Sequence, residues 1–168
     1  MKFRQILVAV LLFTFTVIAW VSAQDDRVGF PKDYQKTFKL YHSLNNEERK
    51  SLREILINST GAKAERGKEF PYGTVIVMLG YRVKMKDGQP VKDDKGLYVK
   101  EELTRVDVMR KEKGFGKIYG DQQSGEWEYG AYRPNGDIIA GDNSRCAGCH
   151  MDASASDYVF SAEQLFKK

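Results

Sequence analysis

The sequence predicts an α+β fold dominated by an antiparallel β-sheet, with helical pieces near both ends. Three observations carry this. Residues 74–85 (TVIVMLGYRVKM) are dense in β-branched side chains and bounded by turn formers, as a strand requires. Residues 97–110 (LYVKEELTRVDVMR) return after a charged, glycine-containing hairpin loop at 86–96. Residues 126–133 (EWEYGAYR) alternate Trp127, Tyr129 and Ala131 on one side, the pattern of a half-buried strand.

The remaining elements follow in order. Tyr34, Phe38 and Tyr41 are spaced for one helical face, which predicts a helix over 33–44, with Pro31 suited to the turn that opens it. Asn45-Asn46 breaks that pattern. Residues 47–58 read equally as helix or strand, and the polar stretch 59–68 as helix or loop. Gly73 opens the first clear strand. Residues 111–123 form a Gly- and Lys-rich connection, and Pro134-Asn135-Gly136-Asp137 is a strong turn signal. No internal repeat is visible.

A chain of 168 residues fits one folded domain. Charged residues at 30% and hydrophobic residues at 42% are a globular balance, and 15 glycines with 4 prolines exclude collagen-like or low-complexity character. Residues 1–23 have a short positive start, an apolar run at 6–21 and small residues in Val21-Ser22-Ala23, which predicts a secretory leader cut before Gln24. The competing reading is a retained anchor, although the run falls short of a span of about 20 residues. The expected organisation is a leader at 1–23 and one exported domain at 24–168. Losing Lys2 and Arg4 would lower the formal charge from +4 to +2, too little and too evenly spread for a nucleic-acid binder.

The chemistry lies in Cys146-Ala147-Gly148-Cys149-His150, a C-x-x-C-H sequence of the kind that attaches c-type haem. Two thiols at this spacing suit the two vinyl groups on one porphyrin edge, and His150 is placed to offer an imidazole to the iron. The small Ala147 and Gly148 let the backbone run close to the macrocycle. A zinc site would need further Cys or His ligands, and His42 is the one other histidine. A redox C-x-x-C would open a helix after a strand in a βαβ unit, a context absent here. The predicted cofactor is haem c, covalent through Cys146 and Cys149, with His150 as the metal ligand. Asn58-Ser59-Thr60 fits a glycosylation pattern that is set aside in a bacterial-style cytochrome.

Any sixth ligand would come from upstream of the motif. His42 would give a bis-histidine iron. Met78, in an apolar strand, is the better thioether, and is more readily a packing residue beside the haem; Met85, Met109 and Met151 are weaker. With none of them on the iron, one face is open to a small ligand. An aromatic-rich wall there suits weakly polar diatomics, and one acid or donor turns binding into chemistry.

Ordered features over roughly 28–166 resemble the cytochrome P460 family and the related cytochromes c′-β. Phe30-Pro31 with Tyr34 is similar to an F-P-x-x-Y opening, and Phe70-Pro71-Tyr72-Gly73-Thr74-Val75-Ile76-Val77 to an F-x-D-G-T/S-V-x-V strand entry. Residues 111–115 (KEKGF) resemble a K-D-S-K-R-F segment, and Gly125-Glu126-Trp127-Glu128-Tyr129 a G-x-W-x-F/Y strand. The C-x-x-C-H followed by Asp157-Tyr158-Val159-Phe160-Ser161 resembles the family's D-Y-V-F-S/T ending. The resemblance implies an antiparallel P460-like fold with flanking helices, a homodimer, a five-coordinate haem and an exported protein handling small nitrogen oxides.

In the P460 enzymes a lysine directly after the T-V-x-V run bonds to a porphyrin carbon, and the altered haem oxidises hydroxylamine. Here that position is Met78, whose thioether cannot form the link, and Lys84 is too far along the chain to replace it. This favours the cytochrome c′-β branch, which binds NO and CO under an aromatic cap. Phe30, Phe38 and Phe70 are the cap candidates. Arg53 aligns with a distal arginine of the enzymes, with a surface arginine as the competing reading. Asp107 falls near their proton-accepting carboxylate, and Glu102 is the fallback. The sequence therefore predicts NO binding first, hydroxylamine or NO oxidation through Arg53 and Asp107 second, and a six-coordinate electron carrier third. Expected partners are a nitrogen-oxide ligand and a soluble redox protein; the lysines of 84–117 offer such a protein a basic region, although a solvated hairpin face is the stronger reading of them.

Overall fold

β-Branched and aromatic side chains pack well on a pleated surface, and here they build the middle of one sheet. The computed structural model describes residues 26–167; the expected leader and its cut lie outside the described residues. A single-turn helix, α1 (Tyr34–Thr37), leads into β1 (Lys39–Asn46) and β2 (Ser51–Ile57). β3 (Val75–Val83) follows, then a small hairpin of β4 (Met85–Lys86) and β5 (Gln89–Pro90), then the long β6 (Lys100–Lys111) and β7 (Trp127–Tyr132). The chain closes with α2 (Ser144–His150), a 3-10 segment at Met151–Ser156 and α3 (Ala162–Leu165). The main sheet runs β1-β2-β3-β6-β7 with every neighbouring pair antiparallel. The α+β, sheet-dominated class read from the sequence is the one observed.

Alternation along the strands divides the core into two layers. Leu56, Val75, Val77, Leu79, Val106 and Val108 point to one face, where Val28, Tyr34 and Tyr132 cover them. Ile57, Ile76, Met109 and Tyr129 point to the other, where Ala147, Val159 and Ala162 of the C-terminal helical region close over them. Each fully buried aliphatic side chain contributes about 1.5–3 kcal/mol. Because both faces are covered, β7 is buried at every position rather than on alternate ones. The half-buried strand expected there is corrected on this point.

The helix expected over 33–44 is also corrected. It stops at Thr37, and Lys39 onward pairs with β2. The three aromatics that suggested a helical face belong to different layers: Tyr34 and Phe38 pack with the first, Tyr41 with the second. A register shift between Leu40 and His42 marks a bulge at Tyr41. The Tyr41 and Ser161 hydroxyls are then 2.6 Å apart, and burial pushes the phenol up to about 12. Ladder pairing and two-sided burial override local spacing here. The ambiguous 47–58 stretch resolves as a turn at 47–50 followed by β2, for the same reason.

Asn58 closes the β2–β3 connection. Its side chain donates to the Gly73 carbonyl at 2.7 Å and accepts from the Gly61 and Val75 amides at 2.9 and 3.1 Å. The glycosylation pattern thus overlies a turn-forming asparagine.

Candidate functional site

One helix carries the motif. At positions three and four apart, Cys146, Cys149 and His150 lie along neighbouring stripes of α2. Ala147, beside them on the sheet-facing side, is fully buried and packs with Cys146 onto the sheet layer. Cys146 is left half-buried and Cys149 exposed, and neither thiol is bonded. The expectation that Ala147 is small for the macrocycle thus acquires a second cause, close packing on the sheet. At Gly148 an added Cβ would meet nothing nearer than the Gln122 side chain at 3.4 Å.

His150 is held from three sides. Its Nδ1–H donates to the Tyr158 carbonyl at 2.6 Å. The ring lies 4.9 Å from that of Tyr129 on β7 and 5.2 Å from that of Phe160. Burial lowers its pKa, and the carbonyl only partly opposes this. The imidazole is therefore neutral near pH 7, with Nδ1 committed and the Nε2 lone pair left as a metal donor. Tyr129 is itself fixed: its amide donates to the Tyr119 hydroxyl at 3.0 Å, and its own hydroxyl pairs with Ser124 at 2.7 Å.

The same sheet face carries the other sequence-predicted residues. Met78 pairs with Ile55 on one side and Asp107 on the other, so the three share a face. One step along, Arg53 pairs with Gly80, which pairs with Arg105. Asp107 accepts from Arg105 Nε at 2.6 Å. Burial raises the pKa of its carboxyl, and the charges of Arg105, Arg53 and Arg49 partly oppose the rise. The structure therefore brings Arg53, Asp107 and Met78 onto one surface. Asp107 also reaches the motif helix: burial first, and its charge second, raises the pKa of the Cys146 thiol.

The other candidates scatter. Glu102 pairs with Arg82 in solvent. Lys84 lies past the end of β3. His42, on the edge strand near Lys167, pairs with Ile55 and so lies on the same sheet face as Met78 and Asp107, two strands out from Met78. Phe30 and Phe38 pack on the layer away from α2, so as cap candidates on the motif's face they are corrected. Phe70 lies in the layer next to α2, edge-on to Trp127. A cavity of about 330 Å³ borders the 157–158 turn, lined by Arg66, Phe70, Ser154, Tyr158 and Phe166, and none of Met78, Asp107 or the motif residues lines it. Arg105 was not singled out in the sequence. Its signal was its place two residues before Asp107, hence on the same strand face.

The donor set can be tested against the cofactors considered. Among the described residues no group of three or more His, Cys, Asp or Glu side chains is placed to hold a metal ion, which argues against zinc. A redox cysteine needs a lowered thiol pKa, and burial raises that of Cys146. Two unbonded thiols on one helix beside an imidazole with one free nitrogen fit a haem. No curated protein matches the chain. The family model for cytochrome P460 matches residues 31–161. That span is more than half of the sequence and runs from the opening Pro31 to Ser161, so the chain belongs to the cytochrome P460 family and is a haem-binding cytochrome.

Proposed function

We propose that the chain is an exported c-type haem protein that binds nitric oxide at an open face of a His150-ligated haem. The observation that carries this reading is the fixed imidazole on the same helix as two free thiols. Cys146 and Cys149 would hold the haem as thioethers, and His150 Nε2 would bind its iron. When bound, haem supplies an iron that takes diatomic ligands and exchanges single electrons. Met78, at the position of the enzymes' cross-linking lysine, supports binding over turnover. Export to the periplasm, a homodimer and a redox partner on the lysines of 84–117 belong to the same proposal.

Titrating purified holoprotein with NO tests it. A ferrous absorption spectrum that shifts stoichiometrically with NO is expected; a spectrum indifferent to NO contradicts it. Met78→Lys is expected to gain the red-shifted Soret band of a cross-linked haem, because residue 78 lies on the face that α2 covers.

Oxidation of hydroxylamine is the second reading, favoured by Arg53 and Asp107 sharing that face. Asp107 accepts a proton only when ionised, and its pKa is raised. Turnover is then expected to rise with pH through a midpoint above the ordinary aspartate value of about 4. In Asp107→Asn that rise is expected to vanish; an unchanged profile removes Asp107 from the chemistry.

A further inference from the structure

The turn that presents the Tyr158 carbonyl is held more firmly than a surface turn requires. Asp157 and Tyr158 are consecutive and both left-handed, at φ 51° and 64°. Such backbone is unfavourable for non-glycine residues and persists where its neighbours over-determine it. Asp157 Oδ2 accepts from the Phe70 amide at 2.7 Å and from Lys111 Nζ at 2.7 Å. The Tyr158 amide donates to the Ala153 carbonyl at 2.8 Å. The Tyr158 ring lies against Gly125, where an added Cβ would come within 2.7 Å of it.

The ion pair is the unusual part. The Lys111 side chain is 2% exposed and that of Asp157 6%. A lysine so deep at the end of β6 is rare unless paired. Burial of such a pair is weak evidence for stability, since apolar residues of equal volume often serve as well. An apolar pair could not aim a hydrogen bond, however. Lys111 and the Phe70 amide converge on one carboxylate oxygen, and the next residue's carbonyl receives His150 Nδ1–H.

We infer that Lys111 and Asp157 are positioning residues for the proximal ligand: through the 157–158 turn and the Tyr158 carbonyl they orient the His150 imidazole and set its strength as an iron donor. Partners of this kind fix the tautomer of a ligating histidine and raise its basicity. The inference rests on His150 binding iron, as proposed above. Loosening the turn weakens the Nδ1–H···O bond and makes the imidazole a poorer donor. The iron–histidine stretch then falls in frequency and the reduction potential rises.

Resonance Raman spectra and redox titrations of ferrous holoprotein test this in Asp157→Asn, in Lys111→Arg, and in the Lys111→Gln, Asp157→Asn double variant. The double variant leaves no uncompensated buried charge, because the Glu69 carboxylate that also meets Lys111 Nζ at 3.0 Å is exposed, and it guards against a failure to fold. The expected order is wild-type values in Lys111→Arg, an intermediate shift in the double variant and the largest shift in Asp157→Asn. Val77→Ala, in the opposite core layer, should lower the melting temperature without moving either readout. If Asp157→Asn holds no haem, the double variant is read alone. Frequencies and potentials equal to wild type in every loaded variant would overturn the inference. A wild-type spectrum with no iron–histidine stretch would instead remove His150 as the ligand, a separate failure.

Discussion

Trp127→Ala is expected to destabilise the protein by about 3–5 kcal/mol, measured by urea unfolding, against a total stability of about 5–15 kcal/mol for a domain of this kind. Trp127 is fully buried at the centre of the layer beneath the C-terminal helices. The Phe70 ring meets it edge-on at 5.9 Å, and Lys111 Nζ lies 6.0 Å from its ring. Alanine would leave a cavity that the rigid sheet cannot close. Trp127→Phe is the informative contrast. The indole Nε1 is buried without a hydrogen-bond partner, so phenylalanine loses area but also removes an unpaired donor whose burial costs about 1–3 kcal/mol. The phenylalanine variant should therefore lie much closer to wild type than to alanine. Equal losses in the two variants would mean that Nε1 has a partner, such as an ordered water.

Replacing Cys146 and Cys149 together with serine is expected to abolish covalent haem, so that acid and organic solvent extract all pigment from the polypeptide. The helix itself should survive, because the fully buried Ala147 still anchors it to the sheet and serine nearly matches the size of the half-buried Cys146. Circular dichroism of the variant should stay close to that of the wild-type protein without haem. Each single serine variant should retain pigment through its remaining thiol. Cys146 is the more sheltered of the two, so Cys146→Ser should disturb local packing more than Cys149→Ser. Pigment that resists extraction in the double variant would place the attachment elsewhere.

Much of this architecture was legible in local chemistry. Residues 74–85 declare a strand by β-branched density, and the C-x-x-C-H declares a site by spacing alone. The 33–44 segment misleads because Phe38 and Tyr41, three apart, share a side on a helix but take opposite faces in extended chain, and only pairing with β2 reveals that. The meeting of Met78 with Asp107 depends on β3–β6 register, which no single strand encodes. Lys111 reads as one more charge in a lysine-rich connection. Its burial comes from a carboxylate 46 residues downstream. Likewise Tyr158 is visible as part of a family signature, while the role of its carbonyl depends on a backbone turn that side-chain patterns do not express.

The account turns on an iron bound by His150 on one side and by no protein atom on the other. The electron paramagnetic resonance spectrum of purified ferric holoprotein tests this most directly. An axial high-spin signal that converts on adding a small ligand is the predicted result. A rhombic low-spin signal in the untreated protein, of the kind given by a second histidine or a methionine such as Met78, would contradict it.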